Sequence, residues 1–157
     1  LMNLIKETVL KDWCWENRIT NPINVTFSEK QVQNQSRIDD IKSTQNFRHF
    51  KNVLNFKTFG NGYNRFGKQL KMLVVREVSS NLRHHLHCII EQPKRFEIQE
   101  FEDLIRKCWK STHFGYYEIH LEKPPTLERE DGWLHYILKG RTKLNLMDSI
   151  DWENTFV

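Results

Sequence analysis

A pair of adjacent strands is the feature of this sequence that most constrains its fold. Residues 70–78 and 83–91 are rich in β-branched and apolar side chains, and the Ser-Ser-Asn sequence at 79–81 supplies a turn between them. Pro93 ends the second strand, because proline cannot donate to a sheet ladder. We therefore expect an antiparallel β-hairpin over 70–91, around which the remainder of the chain is arranged.

Two histidines occupy alternate positions in the second of these strands. His85 and His87 flank Leu86, and side chains alternate between the two faces of a strand. Both imidazoles are therefore expected on one face, while Leu86 and Cys88 point into the other layer. His84 shares the face of Leu86 and is not expected to be a ligand. Two imidazoles side by side are half of a metal site, although such a pair is also common among ordinary polar face residues.

A carboxylate in the preceding strand is the expected third ligand. Glu77 lies eight residues before His85, so a tight turn places the two residues opposite one another. Glu77, His85 and His87 would then leave half of a coordination sphere open for water and a phosphate oxygen. Ligand type alone admits magnesium, manganese or zinc.

A tyrosine and a lysine near residue 136 are the candidate reacting groups. The stretch from 132 to 140 predicts a short helix that Gly140 caps, with Tyr136 and Lys139 on one face. A tyrosine hydroxyl titrates near pH 10, so it needs a polarised phosphate or a nearby cation to act as a nucleophile. Lys139 can supply that charge. The alternative is a buried aromatic residue beside a solvated lysine.

The first half of the chain predicts a helix, a strand and then one or two further helices. Apolar residues recur every four positions over 3–16, which predicts an amphipathic helix with that stripe buried. The stripe consists of Ile5, Val9 and Trp13. Residues 23–27 alternate with β-branched side chains and predict a strand. Residues 35–55 carry apolar side chains at helical intervals, at Ile38, Ile41, Phe47, Phe50 and Leu54.

The second half completes an α+β pattern. Apolar residues from Phe96 to Cys108 recur at helical spacing, and acidic residues precede basic ones as the helix dipole favours. Residues 116–121 predict a strand, the helix with Tyr136 follows, and 144–157 form a tail or a small extra helix. The order of elements predicts one α+β domain over 1–157, with helices packed on an antiparallel sheet.

The charge distribution favours a polyanionic partner. The formal net charge is +4, and between residues 30 and 76 the only acids are Asp39 and Asp40 among many lysines and arginines. A solvated basic surface is the alternative. The three cysteines have no CxxC spacing and indicate a reducing, intracellular compartment, which we take to be the cytoplasm. Neither a signal peptide nor a membrane-spanning run is evident.

The stretch from 60 to 68 predicts a flexible loop in which aromatic and basic residues alternate. Its glycines resemble a phosphate-binding loop, but Gln69 replaces the required serine or threonine and a strand follows instead of a helix. We therefore expect no nucleotide cofactor. Tyr63 can stack on a base while Arg65 and Lys68 contact phosphates, as in single-stranded nucleic-acid binding. An ordinary mobile loop is the alternative.

The residues described so far resemble the HUH endonucleases, specifically the single-tyrosine rolling-circle replication initiators (Rep proteins). The resemblance rests on His85-Leu86-His87 and on Tyr136-Ile137-Leu138-Lys139, and it covers roughly 23–141, with the N-terminal helix and C-terminal tail as extensions. Glu77 stands where those proteins often carry an acidic ligand. The first motif of the family is matched only loosely, by residues 25–28.

The resemblance implies a fold, a cofactor and an activity. It implies about five antiparallel strands flanked by helices, Mg²⁺ or Mn²⁺ as the cofactor, and nicking of single-stranded or hairpin origin DNA. The tyrosine would stay joined to the 5′ phosphate and leave a free 3′ hydroxyl, and reversal would rejoin the strand. Host polymerase and helicase are the implied partners, in the host nucleus if the source is a eukaryotic virus.

Two other functions stay open from the sequence. A single-tyrosine transposase or a mobilisation relaxase would use the same chemistry on other DNA. A non-catalytic module that binds single-stranded nucleic acid would use the sheet and the basic residues, with the histidines incidental.

Overall fold

The computed structural model describes residues 2–139 and 146–157. Six helices and six strands lie in these residues. In chain order they are α1 (Met2–Glu16), β1 (Pro22–Glu29), β2 (Val32–Gln33), β3 (Ser36–Arg37), α2 (Asp40–Phe59), α3 (Asn61–Phe66), β4 (Met72–Val78), β5 (His84–Glu91), α4 (Ile98–Lys110), β6 (Gly115–Glu122), α5 (Leu127–Ile137) and α6 (Leu146–Ser149). Gly140, the predicted helix cap, lies outside the described residues.

The expected α+β architecture is confirmed. Four strands form one antiparallel sheet in the order β4-β5-β1-β6, and β2 and β3 form a separate two-stranded ribbon. The predicted hairpin is the β4–β5 pair. The described residues thus hold a four-stranded sheet rather than the five strands that the resemblance implied.

The segment after α6 partly covers the outer edge of β4. Met72 and Phe156 exchange backbone hydrogen bonds of 2.6 and 2.8 Å, and a second isolated bridge joins Val75 to Ile150. The hydroxyl of Thr155 accepts from the backbone N–H of Val74 at 3.1 Å. The predicted tail is therefore a short helix followed by an irregular edge pairing, which shields backbone groups that an open edge strand would present.

The two faces of the sheet carry separate apolar clusters because alternate residues of each strand point to opposite sides. One cluster lies under α2 and α4, where Phe27, Phe47, Phe50 and Trp109 pack with ring centroids 4.4–6.3 Å apart. The other face carries a smaller cluster to which α1, α5 and α6 contribute. The candidate site lies on this second face.

The predicted buried stripe of α1 is wrong. Ile5 and Val9 are 57% and 62% exposed, whereas Leu10 and Cys14 are buried in the second cluster and Trp13 packs partly against it. The sequence offers two overlapping apolar stripes at helical spacing, and contact with the sheet selects one of them. Ile41 in α2 is likewise exposed, at 71%, unlike the other four predicted residues of its stripe.

The predicted flexible loop at 60–68 is also wrong, because most of it is the short helix α3. Gly60 and Gly67 flank the helix with φ of 54° and 65°, and the N–H of Gly67 donates to the carbonyl of Tyr63 at 3.2 Å. Glycine supplies such left-handed conformations at low cost. The glycines that suggested a loop are therefore the residues that begin and end a helix.

The cysteines are Cys14, Cys88 and Cys108, and all three are buried free thiols. Burial raises the pKa of each thiol, that of Cys14 to about 11. These thiols are therefore packing groups rather than nucleophiles. A separate finding is that the described helices include none with the length and apolar character to cross a membrane.

A buried carboxyl makes stability depend on pH. Burial raises the pKa of Glu29 from 4.5 to about 7, although Ser43 donates a hydrogen bond of 2.8 Å to its carboxyl group. The folded state thus holds the proton more tightly than the unfolded state. The protonated Glu29 therefore contributes to the free energy of unfolding in full below pH 4.5. This contribution, at most ~3 kcal/mol, is lost as the pH rises through about 7.

We expect Glu29→Gln to flatten that pH dependence. Urea unfolding at pH 4.5 and pH 8 measures it, with Glu118→Gln, at an exposed carboxylate of β6, as the matched control. If wild type and Glu29→Gln lose the same free energy of unfolding between the two pH values, Glu29 is not the source of the pH dependence.

Candidate active site

The β4–β5 hairpin brings the three predicted ligands together. Glu77 pairs with His85 in the antiparallel register, as the length of the turn predicts. Oε2 of Glu77 lies 2.9 Å from Nε2 of His87 and 3.8 Å from Nε2 of His85. One ligand atom from each of the three residues lies within 4.8 Å of the others. We call these three residues the Glu-His-His cluster.

Neighbouring groups orient both imidazoles. Nδ1 of His85 lies 3.4 Å from the carbonyl oxygen of Arg83, which can only accept, and Nδ1 of His87 lies 3.2 Å from the hydroxyl of Thr26. A proton on each Nδ1 would leave both Nε2 lone pairs directed at the cluster, although the hydroxyl of Thr26 can also donate to Nδ1 of His87. The ring centroids are 5.0 Å apart. This is the arrangement in which metal-binding histidines are usually held.

The cluster fits a divalent cation. Two neutral imidazoles and one carboxylate carry a single negative charge, and the side chains of Glu77, His85 and His87 are only 12%, 23% and 6% exposed. The mixture of nitrogen and oxygen donors accepts Mn²⁺, Mg²⁺ or Zn²⁺, so the donor set does not select one of them. His84 points to the opposite face, as predicted, with Nδ1 4.0 Å from a carboxylate oxygen of Asp40.

Tyr136 lies beside the cluster. Its ring centroid is 5.8 Å from that of His87, and the side chain is 46% exposed. Nζ of Lys139 lies 3.9 Å from the centre of the Tyr136 ring, although Lys139 follows the last residue of α5 by two positions. The predicted pair is therefore together, with a cation against the face of the phenol ring.

Two residues of the site were not identified from the sequence. Thr26, in the centre of β1, pairs with His87 across the sheet. Trp133 stacks on Tyr136 with centroids 5.6 Å apart, and its ring lies 5.9 Å from that of His87. Trp133 lies one turn before Tyr136 in α5, and this helical spacing could have identified it from the sequence. The Thr26 contact needed the β1–β5 register, which no local pattern gives.

The predicted DNA-binding residues Tyr63, Arg65 and Lys68 are not part of this site. They lie on or just after α3, which packs against α2 on the opposite face of the sheet. The hydroxyl of Tyr63 donates to the side-chain carbonyl of Asn52 at 2.6 Å. Their contact with nucleic acid stays a prediction that concerns a second surface.

Chemically, the arrangement places the Tyr136 phenol, with the ammonium group of Lys139 over its ring, beside one of three residues whose side chains could hold a metal ion. That combination suits transfer of a group with anionic oxygens, which a cation can neutralise while the hydroxyl attacks.

Comparison of the chain with protein-family models, curated proteins and solved structures finds no match.

Proposed function

We propose that this chain is a metal-dependent, site-specific endonuclease and strand transferase of single-stranded DNA, which nicks DNA through Tyr136 to begin rolling-circle replication. The observation that carries the proposal is the convergence of the Glu-His-His cluster with the Tyr136–Lys139 pair. Each motif alone is common in structural roles, but they come from separate segments of the chain and meet at ring distances below 6 Å.

In this function the Glu-His-His cluster would hold Mg²⁺ or Mn²⁺. The bound ion would supply Lewis acidity at the phosphate to be cleaved. The hydroxyl of Thr26 can accept a hydrogen bond from Nδ1 of His87, which would keep Nε2 of His87 available as a ligand. Lys139 lowers the cost of negative charge on the phenol oxygen and on the phosphate.

The reaction exchanges one phosphodiester for another. The Tyr136 oxygen forms a bond to phosphorus and loses its proton, while the bond from phosphorus to O3′ breaks and O3′ gains a proton. The products are a 5′-phosphotyrosine and a free 3′ hydroxyl, which a polymerase can extend. Because the high-energy ester is retained on the protein, attack by a 3′ hydroxyl reverses the step and rejoins DNA.

A covalent adduct is the test of this function. The protein is incubated with a pool of hairpin-bearing single-stranded oligonucleotides and Mn²⁺, and adducts are detected by denaturing electrophoresis and mapped by peptide mass spectrometry. We expect an adduct on Tyr136 that needs the metal and disappears in Tyr136→Phe. Tyr117→Phe, at an exposed tyrosine of β6, is the control and should keep it. Binding without an adduct on any oligonucleotide would favour the non-catalytic module.

Thr26 provides a finer test of the metal centre. Thr26→Val keeps the shape of the side chain but removes the hydroxyl beside Nδ1 of His87. We expect Mn²⁺ affinity to fall by about 10- to 100-fold, as is usual when the partner of a metal-binding histidine is lost. Electron paramagnetic resonance of free Mn²⁺ measures the affinity directly. Thr26→Ser should restore most of it, and equal affinity in Thr26→Val and wild type would contradict the role.

A further inference from the structure

A groove between β6 and α5 adjoins the candidate active site, and apart from Tyr136 its lining has no role in the mechanism above. It has a volume of about 490 Å³, within the range of small-ligand clefts. Its lining residues are Asn24, Glu122, Glu128, Arg129, Gly132, Trp133 and Tyr136. We call it the β6–α5 groove. Trp133 and Tyr136 belong both to this groove and to the site beside His87.

The floor of the groove is polar. Asn24 and Glu122 are directly paired across β1 and β6, so their side chains share one face of the sheet. Asn24 is only 3% exposed, and Glu122 lies 3.7 Å from the guanidinium of Arg129. Asn24 is two residues from Thr26 on the same strand face, which makes the groove continuous with the metal-binding side of the sheet.

The charge of the groove excludes a phosphate as its occupant. Its lining contains two carboxylates, Glu122 and Glu128, against the single guanidinium of Arg129. An anion would meet a net negative charge there. The stacked Trp133 and Tyr136 rings, by contrast, offer an aromatic wall to a flat ring, and carboxylate and amide oxygens accept from N–H donors.

We propose that the β6–α5 groove binds one nucleobase of the single-stranded substrate, next to the phosphate that is cleaved, and prefers a base with an exocyclic amino group. Adenine, cytosine and guanine present such a donor to Glu122 and Asn24, whereas thymine does not. The position of the base beside the cleaved phosphate rests on the proposed function. Preference for the amino group rests on the groove alone.

Nucleoside titrations test the groove without requiring cleavage. The ¹⁵N-labelled protein is titrated with deoxyadenosine and with purine 2′-deoxyriboside, which lacks only the 6-amino group, while the Gly132 amide and the Trp133 indole N–H are followed by NMR in the presence of a chelator. We expect both signals to shift, with deoxyadenosine binding about five- to tenfold more tightly. Glu122→Leu, which removes the acceptor, should remove the preference. Glu100→Leu, at an exposed carboxylate of α4, should keep it.

The outcomes separate this proposal from the proposed function. Equal affinity for the two nucleosides, or shifts that avoid Gly132 and Trp133, would overturn the groove assignment even if Tyr136 forms an adduct with DNA. Selective shifts that Glu122→Leu abolishes would support it even if no adduct forms. Should Glu122→Leu fail to fold, Asn24→Ala, which removes the other acceptor of the groove floor, takes its place, with loss of selectivity expected and unchanged selectivity contradicting the proposal.

Discussion

Replacement of His87 by alanine is expected to abolish Mn²⁺-dependent cleavage and adduct formation while sparing most of the affinity for DNA. His87 is the most buried member of the Glu-His-His cluster and contacts Glu77, Thr26 and the Tyr136 ring. Its removal takes away one of the three residues proposed as ligands, so Mn²⁺ affinity should fall by more than the ~100-fold that loss of a supporting residue can cost. Under the proposed function, phosphate contacts elsewhere on the protein would supply most of the DNA affinity and would not involve this side chain.

The adjacent His84 provides the matched control. It lies in the same strand but points to the opposite face, toward Asp40. His84→Ala should therefore retain Mn²⁺ binding, cleavage and the adduct. Calorimetric titration of Mn²⁺, gel-based cleavage and fluorescence anisotropy of labelled DNA measure the three properties separately. If His87→Ala cleaves normally with a chelator present, the metal site has been misassigned.

The largest loss of stability is expected from Phe50→Ala. Phe50 is fully buried, and its ring packs on Phe27, Phe47 and Trp109 at 5.0–5.6 Å. Truncation removes this contact area and leaves a cavity, which typically costs about 3–5 kcal/mol. For a chain of this size that loss lowers Tm by roughly 6–20 °C.

The same helix contains the control. Phe56 lies six residues later in α2 and is 51% exposed, so Phe56→Ala should change the free energy of unfolding by less than about 0.5 kcal/mol. Urea titration followed by circular dichroism measures both variants. Similar destabilisation by the two substitutions would show that the aromatic cluster is not the main core of the domain.

The parts of the structure that depend on neighbouring residues were predictable from the sequence. The Glu77–His85 pairing followed from the length of one turn, and the common face of His85 and His87 followed from strand alternation. The contact between Thr26 and His87 could not be predicted in this way, because it joins residues 61 positions apart and depends on the order of strands in the sheet. The buried face of α1 was mispredicted for the same reason. Residue spacing allowed two apolar stripes, and only packing against the sheet shows that Leu10 is buried and Val9 is exposed.

The pairing of the C-terminal segment with β4 has a consequence for how the protein is refolded. Met72 and Phe156 are far apart in the chain, so their contact closes a long loop and is expected to form late. Until it forms, the strand that carries Glu77 presents an unprotected row of amide and carbonyl groups to other molecules. Recovery of monomer from denaturant should therefore improve on dilution, since self-association through that edge depends on concentration while closure of the segment does not.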